Sequence, residues 1–285
     1  MRDWLGRGRP RDASGGRKSP TTLLFSWLIF GATFLYFFLP LLATFLHSIK
    51  PRPNDIPDPT LAYRQVLTDE RFYIGLGYSF GVGLITIVIS LLLIVPTAYW
   101  VRLRVPRLRP VVEFITLMPF VVPPIVFVFG LIRTYAGQPF QLLATNLGSD
   151  FVLVAAYVVL SFPYMYRAVD TGLAAIDVRV LTEASQSLGA SWGRILWQVI
   201  FPNLRTALLS GAFLTLAIVI GEYTIAQFLA RTQAFGPYLS LLGRNAPYTP
   251  AVVSLISFAL TWIAMGLIAY VGRGSRTGVQ VAGAR

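Results

Sequence analysis

The sequence predicts an all-α membrane protein with six transmembrane helices. Three observations lead to this fold class. Of the 285 residues, 55% are hydrophobic and only 13% are charged; the mean hydropathy is +0.65; and six apolar runs are long enough to cross a bilayer. A soluble domain carries about 25% charged residues. A soluble fold is therefore excluded, because too little polar sequence remains to cover six such runs.

The six spans follow from the stretches between charged residues. A helix needs roughly 20 residues to cross a bilayer core of about 30 Å. The fourth run reaches this length if it continues past Arg167, whose long side chain can extend to the interface. The fifth run is interrupted only by Glu222. The predicted spans are 23–46, 72–101, 114–132, 151–169, 206–230 and 251–271.

The chain divides into a disordered basic tail at 1–20, a six-span domain at 21–273 with a long loop at 167–205, and a short tail at 274–285. Lys and Arg are distributed unevenly, with 17 of the 24 on the side of both termini and 7 on the other. Because basic residues accumulate in cytoplasmic loops, both termini are expected in the cytoplasm. Nucleic-acid binding by the basic tail is not expected, since its basic residues are not interleaved with aromatic ones and no fold accompanies them.

The residue inventory argues against catalysis in this chain. There is no Cys, which excludes a disulfide framework, a thiolate nucleophile and a Cys-based metal site. The single His, His47, lies at the outer end of the first span, and Lys18 and Lys50 lie outside the spans. An intramembrane hydrolase would need a base or paired acids within the spans. We therefore expect no catalytic residue, no metal and no cofactor bound by this chain.

The loop at 167–205 is too long for a simple turn and is predicted to contain two short helices. Asp177 is expected to cap the first helix, and Gly189 to end it, because glycine tolerates the left-handed backbone at a helix end. Ser191 is expected to cap the second helix, which ends before Pro202. An amphipathic pair that merely lies in the lipid headgroups is the alternative.

The stretch 183–202, EASQSLGASWGRILWQVIFP, resembles the cytoplasmic EAA signature of bacterial ABC-importer permeases. That signature reads Glu-Ala-Ala, three residues, Gly, nine residues, Ile, one residue, Leu-Pro. Four positions match in register: Glu183, Ala184, Gly189 and Pro202. Three positions carry substitutes of similar size or hydrophobicity: Ser185, Val199 and Phe201. The predicted six-span layout and the cytoplasmic termini agree with the same family.

The resemblance implies that the loop is a coupling helix pair that docks into a cleft on a cytoplasmic ATP-binding subunit. It also implies a second permease, expected to be a different chain, an extracytoplasmic solute-binding protein, and a place among the lipids of a bacterial inner membrane. ATP and magnesium would lie on the partner, because the chain has no G-x-x-x-x-G-K-[ST] motif. Ile195 and Leu196 are expected to add apolar contacts to the partner. The expected coupling residues are Glu183, Ala184, Ser185, Leu188, Gly189, Ala190 and Pro202.

Two other stretches, MPFVVPPIVFVFGLI and GEYTIAQFLA, look like the branch that imports spermidine/putrescine or ferric iron. An ionisable group within a span is costly, so Glu222 is either an interfacial carboxylate in contact with water or a group in the translocation pathway. In the second case Tyr223 adds a cation–π contact. Pro123 and Pro124 kink the third span, for packing or as pathway lining.

The expected cargo is a polyamine or another small cationic solute, with ferric iron or another small solute as the alternative. The alternative from a different class of protein is a secondary transporter that works without ATP. Such folds commonly carry internal repeats and several intramembrane charges. This chain has no convincing repeat and one clear intramembrane acid.

Overall fold

The computed structural model describes residues 20–50, 58, 60–245 and 248–273. Within these ranges the regular elements are helices, and no strand occurs. Both predicted tails lie outside the described residues, apart from residue 20. The helices are α1 (Pro20–Ser48), α2 (Leu61–Thr68), α3 (Glu70–Arg104), α4 (Arg109–Val121), α5 (Pro124–Tyr135), α6 (Asn146–Ala174), α7 (Val178–Ser187), α8 (Trp192–Asn203), α9 (Arg205–Gly221), α10 (Thr224–Phe228), α11 (Phe235–Asn245) and α12 (Thr249–Arg273).

The chain forms two units, Met1–His47 and Ser48–Arg285. In the first unit, α1 is a single apolar helix whose stretch from Leu24 has a mean hydropathy of 2.0. It contains the whole of the predicted first span. All the other helices belong to the second unit.

Two long unbroken helices, α3 and α6, contain the second and fourth predicted spans. Helix α3 has 35 residues, which corresponds to about 52 Å at 1.5 Å per residue, well beyond the thickness of a bilayer core. Helix α6 has 29 residues and continues to Ala174. The loop predicted to begin at Arg167 therefore begins after Ala174, because the fourth helix extends beyond its apolar run.

The third predicted span is broken rather than kinked. The helical segment ending at Val121 and α5 meet at a bend of 97°. A residue that precedes proline is driven out of the α-helical region, and proline itself supplies no backbone N–H. Val122 and Pro123 accordingly have ψ angles of 117° and 137°. The consecutive prolines thus divide the predicted span into α4 and α5.

The fifth predicted span is also broken. Helix α9 ends at Gly221, Glu222 is extended, and the short helix α10 follows. Among the described residues, three helices are long and apolar enough to cross a membrane, or up to five if each bent pair counts as one span. The sixth predicted span lies within α12, whose residues Thr249–Leu260 form a shorter apolar stretch.

The second unit has three clusters of buried apolar side chains. One cluster joins α3, α6, α7, α8 and α9, and we call this end of the unit the loop end: its fully buried members include Val95, Met165, Val169, Leu173 and Ile195. A second cluster joins α5, α6 and α10: Val128, Leu153, Ile225 and Ala226. A third joins α2, α3, α11 and α12: Val66, Phe72, Phe235, Val252 and Val253.

Candidate coupling loop and helix-break sites

Helix α7 has a defined beginning and end. The Asp177 carboxylate accepts a hydrogen bond from the Val180 backbone N–H at 3.1 Å, which is the predicted cap. At the other end, Gly189 has a φ of +77°. Its N–H donates to the Gln186 carbonyl at 2.8 Å, and the Ala190 N–H donates to the Ser185 carbonyl at 3.0 Å. This pair of bonds is a Schellman motif, which requires a left-handed residue at the glycine position.

Helix α8 differs from the prediction at both ends. Ser191 occupies the position before the helix, but its side chain makes no capping hydrogen bond. The segment Ile195–Ile200 is a π-helix in which the Phe201 N–H donates to the Leu196 carbonyl. Because Pro202 lacks an N–H and its ring crowds the preceding turn, a wider turn accommodates it. The helix therefore continues through Pro202 to Asn203 instead of ending before it.

The predicted coupling residues fall into two groups by exposure. Glu183, Ala184, Leu188 and Gly189 are exposed, and Leu188 is 89% exposed. The other three are half-buried: Ser185, Ala190 and Pro202. The exposed group shares one surface at the end of α7.

The apolar contact expected from Ile195 is a wrong prediction. Its side chain is 0% exposed and lies in the buried cluster at the loop end. Leu196 packs partly against the same cluster. The helical spacing of apolar residues in α8 therefore reflects the face that covers α3 and α6, and leaves Leu188 as the exposed leucine of the predicted coupling set.

The helix pair α7–α8 is fastened to the last turns of α3. The hydroxyls of Tyr99 and Thr182 lie 2.9 Å apart in a buried hydrogen bond. The Trp192 ring packs against Tyr99 at 6.4 Å and against Trp100 at 6.0 Å between ring centroids. The Arg104 guanidinium lies 5.0 Å from the Trp192 ring centroid, a cation–π contact. Sequence reasoning missed these contacts, because no local pattern pairs residues more than 80 positions apart.

The basic stretch from the end of α3 to the beginning of α4 is held by an acid on α6. Asp170 pairs with Arg109 at 2.7 Å and with Arg102 at 3.4 Å. The hydrogen bond to Asp170 raises the pKa of the Arg109 guanidinium above its ordinary value. An exposed pair between Arg167 and Glu113 at 3.2 Å lies nearby and adds little stability in water. Arginines that the sequence presents as topology signals thus also join α4 to α6.

Glu222 lies at the break between α9 and α10, where both carboxylate oxygens accept hydrogen bonds. The Ile225 N–H donates to them at 2.8 and 3.0 Å, and the Ala226 N–H donates at 3.2 Å. The Tyr157 hydroxyl on α6 donates at 3.1 Å. The placement of Glu222 within a continuous helix is therefore wrong, since the carboxylate caps the beginning of the next helix. Its contact with cargo stays a prediction.

The other predicted pathway residues surround the two breaks. Tyr223 is half-buried, whereas Pro123 and Pro124 are exposed. The helices that follow the breaks pack on one another, with the rings of Phe129 on α5 and Phe228 on α10 5.2 Å apart. The structure thus brings α5 and α10 together after the two breaks. The pathway role of these residues stays a prediction.

A buried polar network that the sequence did not indicate holds the segment after α10. Arg231 is 7% exposed and donates to Asp150 at 3.2 Å and to the side chain of Asn146 at 2.9 Å. The Tyr78 hydroxyl on α3 donates to Asp150 at 2.6 Å. The Arg231 guanidinium is buried, whereas the Asp150 side chain is 34% exposed. The network therefore fixes this segment to α3 and α6.

Comparison with known proteins gives a consistent result. Residues 94–276 match the family described as binding-protein-dependent transport system inner membrane component. The spermidine/putrescine transport system permease of Haemophilus influenzae is 24% identical over 284 residues, covering 90% of this chain and 92% of that relative. A probable molybdenum ABC transporter permease of Haloferax volcanii is 28% identical over 252 residues, covering 85% and 86%.

One further relative matches over a shorter stretch, and one solved structure is similar over most of the chain. A probable sulfate transport system permease of Chlorokybus atmophyticus is 37% identical over 112 residues, and the match covers 37% of this chain and 39% of that relative. The crystal structure of a bacterial ABC transporter involved in the import of the acidic polysaccharide alginate matches with a TM-score of 0.67 and 14% identity. It covers 90% of this chain and 96% of the matched chain, so the two share a fold.

The capping role of Glu222 predicts how substitutions at this position change the stability of the protein. Glu222→Ala leaves the N–H groups of Ile225 and Ala226 without their acceptor, and is expected to lower the free energy of unfolding by about 1–3 kcal/mol. Glu222→Gln keeps one acceptor oxygen and is expected to lose less. Thermal denaturation of the purified protein in detergent measures both. Glu113→Ala, which removes only an exposed ion pair, is the control, and a Glu222→Ala protein as stable as this control contradicts the capping role.

Proposed function

Because the chain belongs to the family of binding-protein-dependent transport system inner membrane components, we propose that it is the permease subunit of an ATP-driven importer. In this proposal the helix pair α7–α8 docks on a cytoplasmic ATPase, and a second permease, a different chain, encloses the pathway with this one. An extracytoplasmic solute-binding protein delivers the cargo. The complex lies in a bacterial inner membrane with both termini of this chain in the cytoplasm.

The observation that carries the proposal is the exposed surface at the end of α7. Leu188 is 89% exposed, although the backbone around it is held by the Schellman motif at Gly189. Burying a leucine side chain contributes about 1.5–3 kcal/mol, and a partner that covers Leu188 would gain this free energy. Ala184 leaves room for close approach beside it. Glu183 offers a carboxylate to a basic or donor group of the partner.

In this proposal the exposed and buried faces of the helix pair α7–α8 have different roles. The exposed surface binds the partner, and the buried faces of α7 and α8 connect it to α3 and α6. ATP and magnesium belong to the partner in this proposal. Closure of the ATPase subunits would displace the helix pair and shift the two permeases between inward-open and outward-open arrangements, which is the two-state behaviour of a packed interface.

For the cargo we propose a polyamine or another small cationic solute. The spermidine/putrescine permease is the relative that covers 90% of this chain, which supports this choice. A second candidate is a small oxyanion, favoured by the molybdenum permease at 28% identity over 85% of the chain. The carboxylate of Glu222 is already hydrogen-bonded at four contacts of 2.8–3.2 Å. We therefore expect the binding protein and other permease residues, and not Glu222 alone, to select the cargo.

The docking surface predicts a specific loss of partner binding. Leu188→Gln is expected to reduce the cognate ATPase that co-purifies with the tagged chain by about ten-fold or more, because the apolar contribution of the leucine is lost. Leu147→Gln is a matched control, since Leu147 is 83% exposed on the first turn of α6, away from the loop end. Equal co-purification by both variants contradicts the docking surface.

The cargo assignment predicts the outcome of an uptake assay. Cells that express the complete transporter are expected to accumulate labelled spermidine, and excess putrescine but not molybdate is expected to compete. Depletion of ATP is expected to stop uptake, which separates an ATP-driven importer from a secondary transporter. Accumulation of labelled molybdate without spermidine uptake contradicts the cationic cargo and supports the oxyanion.

A further inference from the structure

Both members of the helix pair are attached to one short region of α3. Helix α7 is attached through Thr182, whose hydroxyl lies 2.9 Å from that of Tyr99. Helix α8 is attached through Trp192, which contacts Tyr99, Trp100 and Arg104. The three α3 residues lie within its last two turns. Movement of the pair therefore acts on α3 at its end, through contacts that do not involve the exposed docking surface.

The direction of the hydrogen bond follows from the protons available. The Thr182 hydroxyl also lies 2.6 Å from the Val178 carbonyl, to which it donates. A hydroxyl has one proton, so Thr182 accepts from Tyr99. Replacing Tyr99 by Phe consequently removes the link and leaves Thr182 with its own acceptor. The ring of the phenylalanine can still pack against Trp192.

The opposite part of α3 reaches the break at Glu222. Ser79, buried on α3, accepts a hydrogen bond from the Phe235 N–H at the beginning of α11, at 2.9 Å. The next residue, Gly236, lies so close to the break that a Cβ there would be 2.9 Å from the Glu222 carbonyl carbon and 3.0 Å from the Tyr223 Cα. From Ser79 to Tyr99, α3 rises about 30 Å.

Two other segments of the unit are bent, whereas α3 and α6 are continuous. The α4–α5 segment is bent by 97° and the α8–α9 segment by 79°, whereas α3 is one helix from Glu70 to Arg104. When one end of a bent segment rotates, the bend can change its angle and the other end can stay in place. When one end of a continuous helix rotates, the other end moves with it. Helix α9 ends at Gly221, directly before Glu222, and the hydrogen bond from the Phe235 N–H to Ser79 attaches the residue before Gly236 to α3.

We propose that Tyr99 and Trp192 are positioning residues that fasten the helix pair α7–α8 to α3, and that α3 carries displacement of the pair to the helix break at Glu222. The inference rests on the proposed function, because the ATPase supplies the displacement. In this inference α3, through its side-chain contacts at both positions, is the link between the docking surface and the segment around Tyr223.

The absence of native cysteine allows a direct test in the complex of the full chain with its ATPase. Phe228→Cys places a single thiol on α10, at a side chain that is 43% exposed. Its rate of maleimide labelling is measured with and without ATP and vanadate. The same measurement is made after adding Tyr99→Phe, Trp192→Ala or Ser90→Ala, and ATPase co-purification and ATP hydrolysis are recorded for each protein.

Ser90→Ala is the matched control. Ser90 on α3 and Ser161 on α6 share a buried hydroxyl pair at 2.6 Å, and Ser161 donates to the Val158 carbonyl at 2.7 Å. Ser90→Ala thus removes one buried donor from α3, as Tyr99→Phe does, but the helix pair is not involved. A second control, Trp192→Phe, keeps an aromatic ring in place and is expected to restore much of the response lost in Trp192→Ala.

The expected result is a nucleotide-dependent change in labelling that falls about five-fold in Tyr99→Phe, the factor corresponding to the usual net contribution of one hydrogen bond. A larger fall is expected in Trp192→Ala, with ATPase binding retained in both. Ser90→Ala is expected to stay within about two-fold of the parent. A response that Tyr99→Phe and Trp192→Ala leave intact, or that Ser90→Ala reduces equally, overturns the inference alone. A parent complex without any nucleotide response contradicts the proposed function, and the inference with it.

Discussion

Backbone hydrogen bonding at the two helix breaks is the constraint on which the architecture depends. A bilayer core supplies no water to exposed N–H and C=O groups, so an interruption within a span needs internal partners. At the first break, Pro123 and Pro124 have no N–H to satisfy. At the second, the carboxylate of Glu222 accepts from the N–H groups of Ile225 and Ala226 and from the Tyr157 hydroxyl. The first break thus presents two fewer N–H groups that need a partner, and the second supplies a carboxylate to the N–H groups of the next helix.

The second unit therefore contains both continuous helices and helices that are broken. Helices α3 and α6 run continuously, and their polar side chains connect distant parts of the chain: Tyr78 to Asp150, and Arg102 to Asp170. The broken helices place α5 and α10 together beside them. In the proposed importer, two continuous helices beside two interrupted segments would allow a small displacement at one end to change the packing at the other.

Much of this architecture was predictable from local sequence. Length and hydropathy located α1, α3 and α6, and the capping residue Asp177 and the left-handed Gly189 located α7. The predictions failed where long-range contacts or proline geometry decide. Ile195 fits a docking face by spacing but is buried against α3 and α6, and Glu222 reads as an intramembrane charge but caps a helix. The Tyr99–Thr182 contact joins residues that no periodic pattern relates.

If the exposed end of α7 binds an ATPase subunit, the two must lie close together in the assembled complex, and cross-linking measures this. A single cysteine at Ala184, in a chain without native cysteine, is reacted with a short bifunctional cross-linker in native membranes. We expect a cross-link to the ATPase subunit from Ala184→Cys and none from Leu147→Cys at the first turn of α6. A cross-link to the ATPase from Leu147→Cys, or none from Ala184→Cys in an intact complex, would show that the end of α7 is not the docking surface.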